Sequence, residues 1–180
     1  SLGLGTIVAL RRRSERLAQP SRRPDTWSGQ VVESDLGGDG EAPHIQFLQT
    51  QSLTAQSARA YMCGAYSRMP YEPNHIDLFR TYFDALAKGQ GAVLIHCAAG
   101  KDRTGLLAAL THKILGVHED DVMADYLATN DAINLDARID QMGQRLAKVT
   151  GRPVEPEAVV AFLGVEPAFL DHAWRAIEVQ

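Results

Sequence analysis

Cys97 and Arg103 stand with five residues between them in the run His96-Cys97-Ala98-Ala99-Gly100-Lys101-Asp102-Arg103-Thr104-Gly105. A sulfur nucleophile and a guanidinium at that spacing suit attack on phosphorus. The thiolate adds to the phosphoryl group, and the planar fork holds two of its oxygens as they become equatorial in the transition state. Apolar residues 92–95 precede the run and residues 106–110 follow it, which predicts a turn between a buried strand and a helix. In α/β sheets ligands gather beyond the carboxyl ends of strands, the place this run occupies. The first amides of the following helix lack internal partners, and together with the amides of the turn they form an anion nest. That nest favours a thiolate at Cys97 and equally a phosphate above it.

Ala98, Ala99, Gly100, Lys101, Asp102 and Arg103 are therefore the candidate phosphate-binding loop, with Gly100 permitting its tight path. Lysine in place of Arg103 should fail, because it lacks the fork. Thr104 is expected to donate its hydroxyl to the Cys97 sulfur and so ease its departure from a phosphocysteine. His96 is expected to orient the loop through backbone hydrogen bonds; as the direct neighbour of Cys97 it points away from the sulfur and is a poor protease-type base. For the proton needed by the leaving oxygen, Asp102 is the first candidate, as acid and later as base for water. Its alternative is a structural carboxylate holding Arg103 or nearby amides. Asp35 and Asp39, on a Gly-rich acidic segment, could instead swing in. Lys101 is expected to bind a second anionic group on the substrate or else to be solvated.

The surrounding elements alternate. Residues 6–10 and 92–95 read as strands buried on both faces, and 31–32 and 45–48 are further strand candidates. Asn74 reads as a helix N-cap with Asp77 in its first turn, and Ile76, Phe79, Phe83 and Leu86 recur at helical spacing until Gly89. The helix after the loop is apolar nearly all round, hence expected to be central and buried, and it stops at Gly116. Val122 to Leu127 and residues 133–149 mark two more helices, and Pro156 and Pro167 each suit a helix's first turn. The expected fold is α/β: a central, mostly parallel sheet flanked by helices, with a C-terminal helical layer.

With 180 residues, 45% of them hydrophobic and 22% charged, the chain can build one domain with a sizeable core. The net charge of -4 excludes a general basic field, so no nucleic-acid partner is expected. The first 23 residues nevertheless hold Arg11, Arg12, Arg13, Arg16, Arg22 and Arg23 against Glu15 alone; this run is either an anion-attracting face or a solvated one. Two cysteines, Cys63 and Cys97, do not make a disulfide framework. Cys63 reads as a buried free thiol, with an oxidative disulfide to Cys97 as the alternative. No stretch approaches the length of a membrane span, and no signal-peptide pattern opens the chain. A cytoplasmic chain without stable membrane insertion is expected, with export by a non-classical route as the alternative.

Residues 96–105 match the HCxAGKDRTG signature, and by it the chain resembles the bacterial atypical tyrosine phosphatases of the mycobacterial protein tyrosine phosphatase B type. Asp125-Tyr126-Leu127-Ala128-Thr129-Asn130 is similar to that family's DYLxTN segment, Leu10-Arg11 with Ser14-Glu15-Arg16 to its DLRxxxER stretch, and Leu163-Gly164-Val165 to Leu170 to its GVxxxYL region. The resemblance implies a cysteine-dependent phosphatase without metal or other cofactor, with Cys97 as nucleophile and Arg103 as clamp. It implies phosphotyrosine, phosphoserine or phosphothreonine proteins, or phosphoinositides, as substrates and inorganic phosphate as product. Lys101 and Asp102 distinguish this group from ordinary tyrosine phosphatases. One departure is Ala9, where the family usually carries aspartate, which shifts the burden of acid catalysis to Asp102. Another is the expected lack of the family's N-terminal RDLGG and RSG segments and its C-terminal helix. Residues 1–180 are thus read as a single phosphatase domain, monomeric or, through an open sheet edge, dimeric.

Other classes fit less well. A Walker A site needs glycine at position 95 and serine or threonine at 102, where Ile95 and Asp102 stand. A rhodanese-type sulfurtransferase loop is shorter and lacks the Asp-Arg-Thr ending. A phosphate-binding module would keep Arg103 and lose the nucleophile, whereas Cys97 is intact.

Overall fold

Thr6, Ile7 and Val8 disfavour helix by their β-branching and pack well on a pleated surface. They sit in strand β1 (Leu4–Ala9), which is followed by helix α1 (Arg13–Ala18) and strand β2 (Gln30–Val32). The computed structural model describes residues 3–38, 40 and 42–179. Helices α2 (Pro43–Thr50), α3 (Ala55–Arg68) and α4 (Pro73–Lys88) come next, with a 3-10 turn at Met69–Tyr71. Strand β3 (Ala92–His96) leads into α5 (Asp102–Ile114), after which everything is helical: α6 (Glu119–Leu127), α7 (Thr129–Ala132), α8 (Leu135–Thr150), α9 (Pro156–Leu163) and α10 (Pro167–Glu178). The expected α/β class holds: the described strands form one three-stranded sheet in the order β2-β1-β3, every pair parallel.

Two compact units can be distinguished, residues 1–40 with 69–107 and residues 41–68 with 108–180. The first contains the sheet, α1, α4 and the start of α5. Here β1 is central: Val8, Ala9 and Leu10 are buried, and Leu10 N–H donates to the His96 carbonyl at 2.7 Å, which locks the end of β1 to the residue before Cys97. The second unit is all helical. α3 packs on α9 and α10 through Ala58, Met62 and Tyr66, which recur every four residues on one face. Two of the segments that resemble the phosphatase family build this unit. The Asn130 side chain donates to Val165 C=O at 3.0 Å and accepts from Val165 N–H at 2.9 Å, as a neighbouring strand would, and Tyr126 donates to Tyr66 at 2.7 Å.

Several local expectations are corrected. Residues 45–48 are helical, in α2, not strand: Pro43 opens the helix, and its Phe47 stacks on Tyr61 with ring centres 4.4 Å apart. α4 begins at Pro73 with Glu72 as N-cap, so Asn74 lies inside the helix, buried, and Asp77 lies beyond the first turn. Its buried face is Asn74, His75, Leu78, Phe79 and Tyr82, whereas Ile76 and Leu86 are exposed. Gly89 does end it, in the left-handed conformation that glycine adopts without a Cβ clash. α5 is buried at Leu106, Leu107 and Ala109 but leaves Ile114 and Leu115 exposed. The helix expected over 133–149 forms as α8 but starts at Leu135, after Asn134, a non-glycine residue at φ 50° that separates it from α7.

Candidate active site

β3 delivers Cys97 to the carboxyl edge of the sheet, and α5 starts five residues later at Asp102. Between them the chain turns through Ala98, Ala99 and Gly100, all exposed, with Gly100 at φ +75°. That value suits glycine, and the turn it allows brings the Gly100 amide over the buried Cys97, where N–H donates to Sγ at 3.2 Å. Thr104 does not fill this role. Its hydroxyl is buried without a hydrogen-bond partner, so the sulfur's donor is a loop amide where the Thr104 side chain was expected. The His96 ring, by contrast, lies 3.3 Å from the Cys97 carbonyl through Nδ1, consistent with an orienting part.

Arg103 is held by groups outside the loop. Its Nη1 donates to the Leu10 carbonyl at 2.9 Å and to Glu15 Oε2 at 2.6 Å, and its Nη2 donates to Glu15 Oε1 at 2.8 Å. Of the five guanidinium N–H groups, these contacts occupy three. The Nε–H and one N–H of Nη2 remain, side by side on the edge of the fork, without an acceptor among the described residues. Burial works against the guanidinium charge, yet the Glu15 hydrogen bonds and the charges of Cys97, Glu15 and Asp102 outweigh it and raise the Arg103 pKa. Arg103 is a fixed cation with two free donors.

Lys101 departs from expectation. It is buried and forms an ion pair with Asp102 at 3.1 Å, so it neither reaches toward a second substrate anion nor lies in solvent. Asp102 stands at the head of α5 with its side chain 24% exposed, paired to Lys101. Asp35 is also paired, with Arg16 and, at 4.0 Å, with Arg13, while Asp39 lies outside the described residues.

Sequence reasoning missed the α1 network. The Glu15 carboxylate accepts the Arg12 backbone N–H at 2.7 Å, one half of a capping box, while also gripping Arg103. The Arg12 side chain donates to Gly37 C=O at 3.4 Å and to Glu72 at 3.1 Å. Arg16 donates to the carbonyls of Arg11 and Ser34 and pairs with Glu33 at 3.2 Å, and Arg11 donates to Gln19 C=O and Ser21. The arginine run is thus neither a solvated nor an anion-attracting face at Arg11, Arg12 and Arg16, which are struts tying α1 to the adjoining segments. The available signal was Glu15 itself, the single carboxylate among six arginines. His75 completes the surroundings: burial lowers its pKa, the Arg103 and Arg12 charges lower it further, and the Met69 carbonyl at 2.9 Å and Glu72 oppose them.

The sequence pattern of the tyrosine phosphatase family matches residues 1–180. The chain belongs to the tyrosine phosphatase family. Among curated proteins it is 31% identical over 183 residues to a Cupriavidus necator protein that carries a tyrosine-protein phosphatase name, covering 99% of this chain and 62% of that one. It is 36% identical over 165 residues to the triple specificity protein phosphatase of Mycobacterium tuberculosis, covering 80% of this chain and 59% of that one. A shorter stretch of 49 residues is 45% identical to a tyrosine-protein phosphatase of Nostoc commune. The chain thus spans about three fifths of the length of the first two relatives. Among the described residues of this tyrosine phosphatase family member, no helix is long and apolar enough to cross a membrane.

Proposed function

We propose that this chain hydrolyses phosphate monoesters through a phosphocysteine intermediate. The observation that carries the reading is the pairing of a sulfur capped by the Gly100 amide with an arginine that keeps two adjacent donors free. Phosphate binds with two oxygens on Nε–H and Nη2–H of Arg103 and its others on loop amides. Cys97 Sγ forms the S–P bond in line with departure of the ester oxygen, which takes a proton from Asp102. Water then attacks the phosphocysteine, gives its proton to Asp102, and releases inorganic phosphate and the thiolate. Gly100 N–H, already on Sγ, stabilises that thiolate as it leaves.

Asp102 takes the acid role because Ala9 offers no carboxylate and because Asp102 lies inside the loop itself, beside Arg103; its ion pair with Lys101 has to give up the carboxylate when it is protonated. Phosphotyrosine, phosphoserine or phosphothreonine proteins and phosphoinositides are the substrate classes, in keeping with the triple specificity named for the mycobacterial relative. The test is release of p-nitrophenol from p-nitrophenyl phosphate without added metal, abolished in Cys97→Ser. Phosphate binding with no turnover by the unaltered protein would assign a binding module instead.

A further inference from the structure

We infer that helix α1 is a docking face for the acidic flank of a phosphorylated protein, and that the chain's own carboxylates Glu33 and Asp35 hold this face as an internal competitor; the inference rests on the phosphatase reading above. The sheet order β2-β1-β3, with every pair parallel, sends three segments off one edge side by side. An acidic segment leaves β2, α1 follows β1, and the Cys97 loop follows β3. α1 therefore has the phosphate site on one side and the acidic segment on the other, and its side chains reach both. Toward the site, Glu15 holds Arg103. Toward the segment, Arg16 donates to Ser34 C=O at 3.3 Å and pairs with Glu33 at 3.2 Å and with Asp35, while Arg13 lies 4.0 Å from Asp35. Two carboxylates at alternate positions with a backbone carbonyl between them are what an acidic peptide offers to a set of guanidinium groups.

These carboxylates are held by charge rather than by burial. The side chains of Glu33 and Asp35 are 39% and 64% exposed, so their ion pairs are screened by solvent and individually weak. The Glu15 pair with Arg103 is shielded, at 17% and 16%, so an exchange of acids on α1 leaves the clamp in place. Only the two carboxylates have to leave. The backbone beneath them stays anchored by the buried Ser34 and by Gly37, where an added Cβ would stand 3.2 Å from the buried Asn74. Acids of a bound peptide then neutralise Arg13 and Arg16 in their stead, so no cation is left unpaired in the exchange.

The experiment measures kcat/KM for a phosphotyrosine peptide flanked by glutamates, for the same peptide with glutamines, for a soluble short-chain phosphoinositide and for p-nitrophenyl phosphate. The double variant Glu33→Gln, Asp35→Asn is expected to raise kcat/KM for the glutamate peptide about fivefold, chiefly through KM, and to change the glutamine peptide and p-nitrophenyl phosphate by less than about twofold. Arg13→Gln, at a side chain 47% exposed, should lower kcat/KM for the glutamate peptide alone, by about threefold, and keeps the test open if thermal unfolding shows that the double variant does not fold. An unchanged glutamate-peptide rate in either folded variant, or equal changes for the glutamate and glutamine peptides, overturns the inference. A gain confined to the phosphoinositide assigns the face to a lipid headgroup and overturns it as well. Absence of p-nitrophenyl phosphate turnover in the unaltered protein refutes the phosphatase reading instead. Calorimetric binding of the glutamate peptide to Cys97→Ser, with and without the double change, then still decides the docking face: tightening by about fivefold supports it, and no change overturns it.

Discussion

Replacing Arg103 by lysine keeps one positive charge and removes the fork. Arg103 spends three N–H groups on Glu15 and Leu10 and offers two to the substrate. An ammonium has three donors radiating from one nitrogen, so reaching Glu15 and Leu10 leaves at most one for phosphate. Hydrogen bonds to charged groups contribute about 1.5–3 kcal/mol each. Losing one or two of them at the transition state costs roughly 1.5–6 kcal/mol, which corresponds to a fall in kcat/KM of about tenfold to 10⁴-fold. Because two equatorial oxygens are held together, a loss in the upper half of that range, on the order of 10² or more, is expected. The assay is kcat/KM for p-nitrophenyl phosphate, with a thermal unfolding curve to show that the variant folds. The guanidinium carries a raised pKa despite its burial, so the unaltered protein should show no loss of activity from arginine deprotonation in the alkaline range. Activity of Arg103→Lys within threefold of the unaltered enzyme would show that point charge alone holds the phosphoryl oxygens.

Asp102→Asn should reduce turnover of an alkyl phosphate or phosphotyrosine, whose leaving oxygen needs a proton, by roughly 10²- to 10⁴-fold, and that of an aryl phosphate with a strongly acidic phenol much less; equal losses for both substrates would remove Asp102 from the acid role. His75 should make stability fall on the acid side. Its pKa is lowered in the folded protein, chiefly by burial, so the unfolded chain binds the proton first: the contribution is complete above the unfolded value of about 6.5 and is lost as pH drops through that value toward the folded one. Urea unfolding at pH 7.5 and 5.5 should show a decrease of up to about 1.4 kcal/mol per pH unit that is absent in His75→Gln; the same slope in both proteins would place the pH dependence elsewhere.

What could be read from the residues in order was whatever depends on local spacing. The strand, glycine turn and helix around Cys97 follow from an apolar run, a residue free to adopt positive φ and a second apolar run, and the structure forms that unit where the sequence sets it. Two strands of the sheet were legible because residues 6–10 and 92–95 are short apolar runs that include β-branched residues, but the expected burial on both faces fails for β3, whose Ala92 and Leu94 are exposed. Residues 45–48 were misread because four apolar or neutral residues carry no periodicity of their own; the decision came from Pro43 and from the Phe47 stack on Tyr61, a partner in another helix.

The sequence by itself determined the reacting groups, Cys97 and Arg103, because a loop's chemistry is contained in consecutive residues. Tertiary structure decided how those groups are aimed. Glu15 lies 88 positions from Arg103, and Leu10 lies 93, so only the folding of β1 against β3 brings them to the guanidinium. It also decided the fate of charge: Lys101, Arg11, Arg12 and Arg16 read as free cations in the chain, and each is held by a carboxylate, a hydroxyl or a carbonyl in the fold. The physical reason is the same in both cases. A side chain's chemistry is local, but its orientation and its charge balance depend on partners that only the packed chain brings within hydrogen-bond distance.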